Sequence, residues 1–239
     1  MNLYNVFYSK QPADMQDLLP NDAPKFVTFL NPYTIEIAKK TDIDYTRFDY
    51  IASDAIVPIL LQRLCAKNKS NRYSFDMTSV APHLFNMLIE NKMSIYFIGS
   101  ATKTIASFVS VISENYNELK IAGFHHGYIL GYEDGVIEEI IKSKSDVVVV
   151  GMGAPMQDKF ALRLRDAGYM GSIYTCGGFI HQHSSKASYY PQFINKYHLR
   201  WLYRMTKETY VLKRVLKYYI PFTYKYVRYL LLSSLKLRE

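Results

Sequence analysis

Apolar, β-prone runs alternate with amphipathic segments along most of this 239-residue chain, and that order admits few architectures. The runs are Phe26–Leu30, Tyr50–Ala52, Ser94–Ile98, Lys120–Ala122, Asp146–Val150 and Ser172–Thr175. Between them, Ile105, Phe108, Val109 and Ile112 recur at helical spacing, as do Leu84, Phe85 and Leu88. Strand and helix in turn, with Gly99 and Gly151 at strand ends, predict an α/β fold whose mostly parallel sheet is flanked by helices. Ligands of such sheets bind beyond the carboxyl ends of the strands, so the residues after each run are the candidates for chemistry.

With 49% hydrophobic and 21% charged residues, the chain can bury a real core, which excludes disorder. Its net charge of +8 is unevenly placed. Residues 196–239 hold 11 basic and two acidic side chains, whereas residues 1–195 hold 18 basic and 19 acidic ones. The expected organisation is therefore a near-neutral α/β domain over 1–195 and a basic, tyrosine-rich helical appendage over 196–239. Two cysteines make no disulfide framework, and the opening Met1–Val6 lacks a leader pattern, so a cytoplasmic protein is expected. No apolar run approaches the roughly 18 residues that a spanning helix needs.

Among the strand ends, Ser53-Asp54-Ala55 precedes a helix with Pro58 in its first turn; Asp54 is either an N-cap or a general base. Arg72, followed by Asp76, offers a planar guanidinium to a phosphate. Val147–Val150 runs into Gly151-Met152-Gly153-Ala154-Pro155-Met156-Gln157-Asp158, a strand, glycine turn and helix start where backbone N–H groups can approach an anion. Met156 stands where a nicotinamide fingerprint has its third glycine. His125-His126-Gly127-Tyr128 reads as a substrate-lining loop. Asp42-Ile43-Asp44 and His181-Gln182-His183 are weak metal motifs, since neither has the setting a metal site requires, and no metal or cofactor is expected.

Taken together and in this order, Asp49–Asp54, Arg72 with Asp76, Phe97–Gly99, His126–Tyr128, Gly151–Asp158, Gly177–Phe179 and Leu199–Arg204 resemble the WecG/TagA/CpsF glycosyltransferases over residues 24–218. The resemblance implies a Rossmann-like, metal-independent, inverting enzyme of bacterial polysaccharide synthesis. It would move a sugar from a UDP-sugar to a polyprenyl-pyrophosphate-linked sugar at the inner face of the plasma membrane. By position, Asp54 matches the family's proposed base and Gln157 the glutamine that holds the donor. Arg72 and Tyr128 with Gly127 match pocket residues, Gly151 and Gly153 the donor loop, and Thr28 and Asn31 the end of the first strand. Arg204 and Arg214 match appendage arginines that neutralise the departing UDP. The chain departs from the family pattern at Ala55, Phe29 and Ile180.

The appendage is expected to meet anionic lipid. Around a helix Lys225, Arg228 and Lys236 cluster within roughly 80°, with Phe222, Tyr226, Tyr229, Leu230 and Leu232 as apolar surface beside them. A homo-oligomer is compatible with the sequence, and nucleic acid is not an expected partner. The alternatives are a basic nucleic-acid-binding protein and a catalytically degenerate member of the family.

Overall fold

The computed structural model describes residues 2–21, 23–66, 70–184, 213 and 215–236. Six strands form one sheet: β1 (Phe26–Leu30), β2 (Tyr50–Ser53), β3 (Ser94–Gly99), β4 (Lys120–His125), β5 (Val147–Gly151) and β6 (Ser172–Thr175). Every pairing is parallel and the order is β2-β1-β6-β5-β3-β4. Each expected run is thus a strand of one Rossmann-like sheet. The central β1 and β5 are buried along their whole length, while β4, at one end, alternates between exposed and half-buried residues.

The helices are α1 (Leu3–Ser9), α2 (Pro32–Ala38), α3 (Ile56–Ala66), α4 (Val80–Glu90), α5 (Thr102–Asn115), α6 (Glu133–Ser143), α7 (Met156–Asp166), the single-turn α8 (Phe179–Gln182) and α9 (Ile220–Lys236). Local chemistry sets their ends. Asn31 and Thr34 exchange side-chain and backbone hydrogen bonds in a capping box at the start of α2, and Pro32 opens its first turn. In α7, Asp158 lies in the first turn and Arg163 and Arg165 in the last, the arrangement the helix dipole favours.

Strand alternation divides the core into two faces. Phe26, Leu30, Tyr96, Ile98, Val148 and Val150 pack with α1, α2, α6, α7 and α9, whereas Val27, Phe29, Ile95, Phe97, Val147 and Val149 pack with α4, α5 and α8. The helices that follow β3 and β5 therefore leave the sheet on opposite faces, which makes the boundary between these neighbouring strands its topological switch point. Gly99 pairs with Gly151 there, and a Cβ on Gly99 would lie 2.3 Å from the Gly151 carbonyl oxygen. A Cβ on Gly127, at the end of β4, would lie 2.9 Å from Gly99 Cα. Only glycine fits this junction.

At the C-terminus, a π-helical turn (Val215–Tyr219) leads into α9, with Pro221 at its second residue. Here the structure corrects an expectation. Phe222, Tyr226 and Leu230 belong to the core, not to a lipid-facing surface, because their four-residue spacing puts them on the stripe packed against α1 and α3. Tyr226 accepts a 2.7 Å hydrogen bond from Gln62 and stacks on Phe222. Arg204, Arg214 and the Leu199–Arg204 segment lie outside the described residues.

Gly99→Ala is expected to destabilise the protein by about 2 kcal/mol through overpacking at the switch point. Tyr226→Ala should cost about 3–5 kcal/mol, as for a large aromatic lost from a core. Urea unfolding midpoints check both.

Candidate active site

Parallel strands bring six strand ends to one edge of the sheet, and the residues that follow them form two clusters. The first is built on β2. The Asp54 N–H donates to Leu30 O at 2.9 Å, so the aspartate sits where β1 and β2 both end. Arg72 reaches it from the segment before α4: Nε donates to Asp54 O at 2.8 Å and Nη2 lies 3.5 Å from Asp54 Oδ1. The same Nη2 donates to Ser74 Oγ at 2.8 Å and lies 3.6 Å from Asp76 Oδ2, while Ser74 Oγ also donates to Asp76. Arg72 is thereby held between two carboxylates of unequal exposure. The Asp54 side chain is 42% exposed, against 13% for Arg72 and 11% for Asp76. The open end of this carboxylate–guanidinium–carboxylate chain is Asp54, the group a hydroxyl could approach. Arg72 Nη1 makes no hydrogen bond among the described residues.

The second cluster surrounds the switch point. Gly151 passes under Cys176 and Ile180, Gly153 adopts φ +76°, and a cis peptide precedes Pro155. A Cβ on Gly153 would meet nothing within 4 Å, so the loop there is open. The next turn buries Gln157, whose Oε1 accepts from the Gly177 N–H at 3.0 Å and so ties the β5–α7 loop to the β6–α8 loop. Its amide nitrogen makes no hydrogen bond among the described residues. On the other flank, the Gly127 N–H donates to Ser100 O at 2.8 Å, and Tyr128 stands well exposed with its carbonyl taken by the Tyr132 hydroxyl. With strands about 4.8 Å apart, β2, which Asp54 follows, lies roughly 14 Å across the sheet from β5, which ends at Gly151.

The structure therefore brings Asp54 to Arg72, and Gly127 and Tyr128 to the edge that carries Gly151, Gly153 and Gln157. Asn31 lies beside Asp54, but its carboxamide oxygen accepts from the Thr34 N–H at 3.1 Å as a helix cap. Thr28 is elsewhere. It points to the sheet face that carries α2 and α7, fully buried, and donates to Asp158 Oδ1 at 2.6 Å beside Thr175 Oγ1 at 2.8 Å. Tyr45 donates to Asp158 Oδ2 at 3.1 Å, so the carboxylate pins the first turn of α7 to β1, β6 and the Asp44–Phe48 turn. Burial pushes the Asp158 carboxyl up to about 6, against the pull of the Thr28 and Tyr45 hydrogen bonds.

Asp76 and Asp158 were not among the expected site residues. Asp76, four residues after Arg72, and Asp158, the neighbour of Gln157, were legible only as adjacent acids. Asp44, of the weak metal motif, caps a turn by accepting from Thr46 N and Oγ1, and His183 Nδ1 lies 3.1 Å from Phe179 O. Among the described residues no three metal-ligating side chains converge.

The family model of the WecG/TagA/CpsF glycosyl transferases matches residues 1–236. The chain belongs to this family. A UDP-Gal:alpha-D-GlcNAc-diphosphoundecaprenol beta-1,4-galactosyltransferase of Shigella boydii is 35% identical over 221 residues, 91% of this chain and 92% of the relative. An N-acetylglucosaminyldiphosphoundecaprenol N-acetyl-beta-D-mannosaminyltransferase of Bacillus subtilis (strain 168) is 27% identical over 195 residues, 80% of this chain and 74% of the relative. Like other WecG/TagA/CpsF members, the protein is a glycosyltransferase, and its relatives act on diphosphoundecaprenol-linked sugars. No helix among the described residues is long and apolar enough to cross a membrane.

Because the Asp158 carboxyl is raised above its ordinary value, the stability this group supplies is fully present below about pH 4 and is lost as pH rises through about 6. Relative to Asp158→Asn, the wild-type protein should gain on the order of 2 kcal/mol between pH 7.5 and pH 4.5. Paired urea titrations at the two pH values measure the difference.

Proposed function

We propose that the protein transfers a sugar, with inversion, from a UDP-sugar to N-acetylglucosamine linked through diphosphate to a polyprenyl lipid, in bacterial surface polysaccharide synthesis. The observation that supports this reading is that one sheet edge carries both the glycine junction of the switch point and, three strand spacings of about 4.8 Å across the sheet, the partly exposed Asp54 carboxylate held by Arg72. A nucleoside diphosphate laid along the edge from the crevice directs its sugar toward Asp54. The acceptor hydroxyl then meets Asp54, which removes its proton as the oxygen attacks the anomeric carbon and UDP departs.

Each residue has a task in this scheme. The loop through Gly151 and Gly153 receives the diphosphate, and the free amide nitrogen of Gln157 donates to it or to the donor sugar. Gly127 lets the β4 loop close on the crevice, and Tyr128 offers a ring to the nucleotide. Arg72, held by Asp76, orients Asp54 and keeps Nη1 for the diphosphate of the acceptor. Asn31 shapes the wall beside Asp54 by starting α2, and Thr28 acts at one remove, through the Asp158 network under Gln157. Arg204 and Arg214, in the appendage over 196–239, close on the site and stabilise the leaving UDP, a charge task that a metal performs elsewhere. The appendage also holds the enzyme to anionic lipid at the inner membrane face.

UDP release with product mass, over a panel of UDP-sugars and a short-chain lipid-diphosphate N-acetylglucosamine, tests the proposal. UDP-galactose is the first donor to try, given the 35% identical relative. Asp54→Asn should lower turnover by about 10²–10⁴-fold. Wild-type turnover in that variant removes Asp54 as the base.

A further inference from the structure

We infer that the buried Asp158 carboxyl makes donor binding depend on a proton: the neutral carboxyl lets the β5–α7 loop take up the donor's diphosphate, and the ionised carboxylate opposes it. This rests on the donor reading of that loop proposed above and adds a regulatory group beneath it. The proton comes from solvent, and no covalent bond changes.

Asp158 lies in the first turn of α7, directly after Gln157, and is fully buried. Thr28 Oγ1 donates to one carboxyl oxygen at 2.6 Å and the Tyr45 hydroxyl to the other at 3.1 Å. Thr28 Oγ1 also lies 2.8 Å from Thr175 Oγ1, which accepts from the Phe29 N–H at 3.3 Å. β1 and β6 thus present only hydroxyls to the carboxyl, and the Asp44–Phe48 turn presents the Tyr45 phenol, which burial and the carboxylate push up. No cation pairs with Asp158 among the described residues. On its own helix Lys159 is exposed, Arg163 pairs with Glu133 and Asp134, and Arg165 lies against Asp49 and the Phe26 ring. In the turn, Arg47 pairs with Asp166 and Asp44 accepts from Thr46. Two hydroxyl donors do not replace the water a carboxylate loses on burial, so the group is pushed up to about 6. Hydroxyl oxygens also accept, so the neutral carboxyl keeps its partners.

A diphosphate on the adjoining loop meets the same helix end. Residues 156–158 form the first turn of α7, whose N–H groups favour a negative charge nearby. Gln157, all but fully buried, fixes its Oε1 on the Gly177 N–H and leaves its amide nitrogen unpartnered among the described residues, a donor for an incoming oxygen. The ionised Asp158 already answers the charge of that helix end, and out of water it repels a second anion. At an effective dielectric constant of about 20, two unit charges roughly 10 Å apart weaken binding by about tenfold. By linkage, a bound diphosphate raises the proton affinity of Asp158 by the same factor. Donor affinity is therefore highest where Asp158 is neutral, below about pH 6, and falls as pH rises past that value.

Calorimetric titration of UDP into the full-length wild type and Asp158→Asn, at about pH 5.5 and about pH 8, tests the inference. The ratio of the two affinities cancels the titration of UDP itself and of His125 and His126, which both proteins share. Near pH 5.5 the ratio should be close to one. Near pH 8 Asp158→Asn should bind UDP about tenfold more tightly than the wild type, because its carboxamide stays neutral. Weaker binding by Asp158→Asn at both pH values overturns the inference in favour of a purely structural clamp. Equal affinities at both pH values also overturn it, and leave the donor reading of the loop standing. Failure of both proteins to bind UDP overturns that reading together with the inference. Should Asp158→Asn unfold, Tyr45→Phe serves, since it keeps the carboxyl and removes a donor to its charged form. The pH at which UDP affinity falls should then move upward, and an unmoved profile overturns the inference.

Discussion

The contact between Gly99 and Gly151 is the constraint on which the rest of the active edge depends. Two neighbouring parallel strands send their following helices to opposite faces, and backbone lies against backbone at their ends because neither strand carries a side chain at the junction. Gly127 approaches the same point from β4, and the Gln157 amide fixes the loop after β6 on the other side. Four strand ends are thereby locked to one another before any ligand arrives. In the proposed reaction, a junction held this way needs no reorganisation when charge develops on the leaving diphosphate.

Buried polar chemistry supports both ends of that edge. At one, Asp76 and Ser74 hold Arg72, and Arg72 holds Asp54, so an exposed carboxylate is aimed by groups that are themselves largely buried. At the other, Asp158 with Thr28, Tyr45 and Thr175 clamps the first turn of α7, which carries Gln157. A carboxylate buried at that point raises its own pKa, a cost in stability placed directly beneath a residue with a proposed role in donor binding.

Much of this was legible in the sequence, and the reasons for success and failure differ by residue. Central strands could be read because runs such as Val147–Val150 are apolar without interruption, as buried parallel strands are. That Asp54, Gly151 and Gln157 stand at strand ends could be read because each closely follows an apolar run. The role of Asp76 depends on Arg72 reaching back across 18 residues to Asp54 O, and that of Asp158 on partners 113 to 147 residues apart along the network, neither of which periodicity encodes. Helical spacing in the tail was correct, but it did not say which stripe faces the body. Phe222, Tyr226 and Leu230 face inward.

In the proposed scheme one edge has two ends, with the nucleotide at the switch point and the acceptor at β2. Calorimetric titration of UDP, without acceptor, into the wild-type protein, Gln157→Ala and Arg72→Ala tests it most directly. Affinity about tenfold weaker in Gln157→Ala, as for a lost hydrogen bond to a charged group, and unchanged in Arg72→Ala is expected. UDP affinity lost with Arg72 and untouched by Gln157 would contradict it.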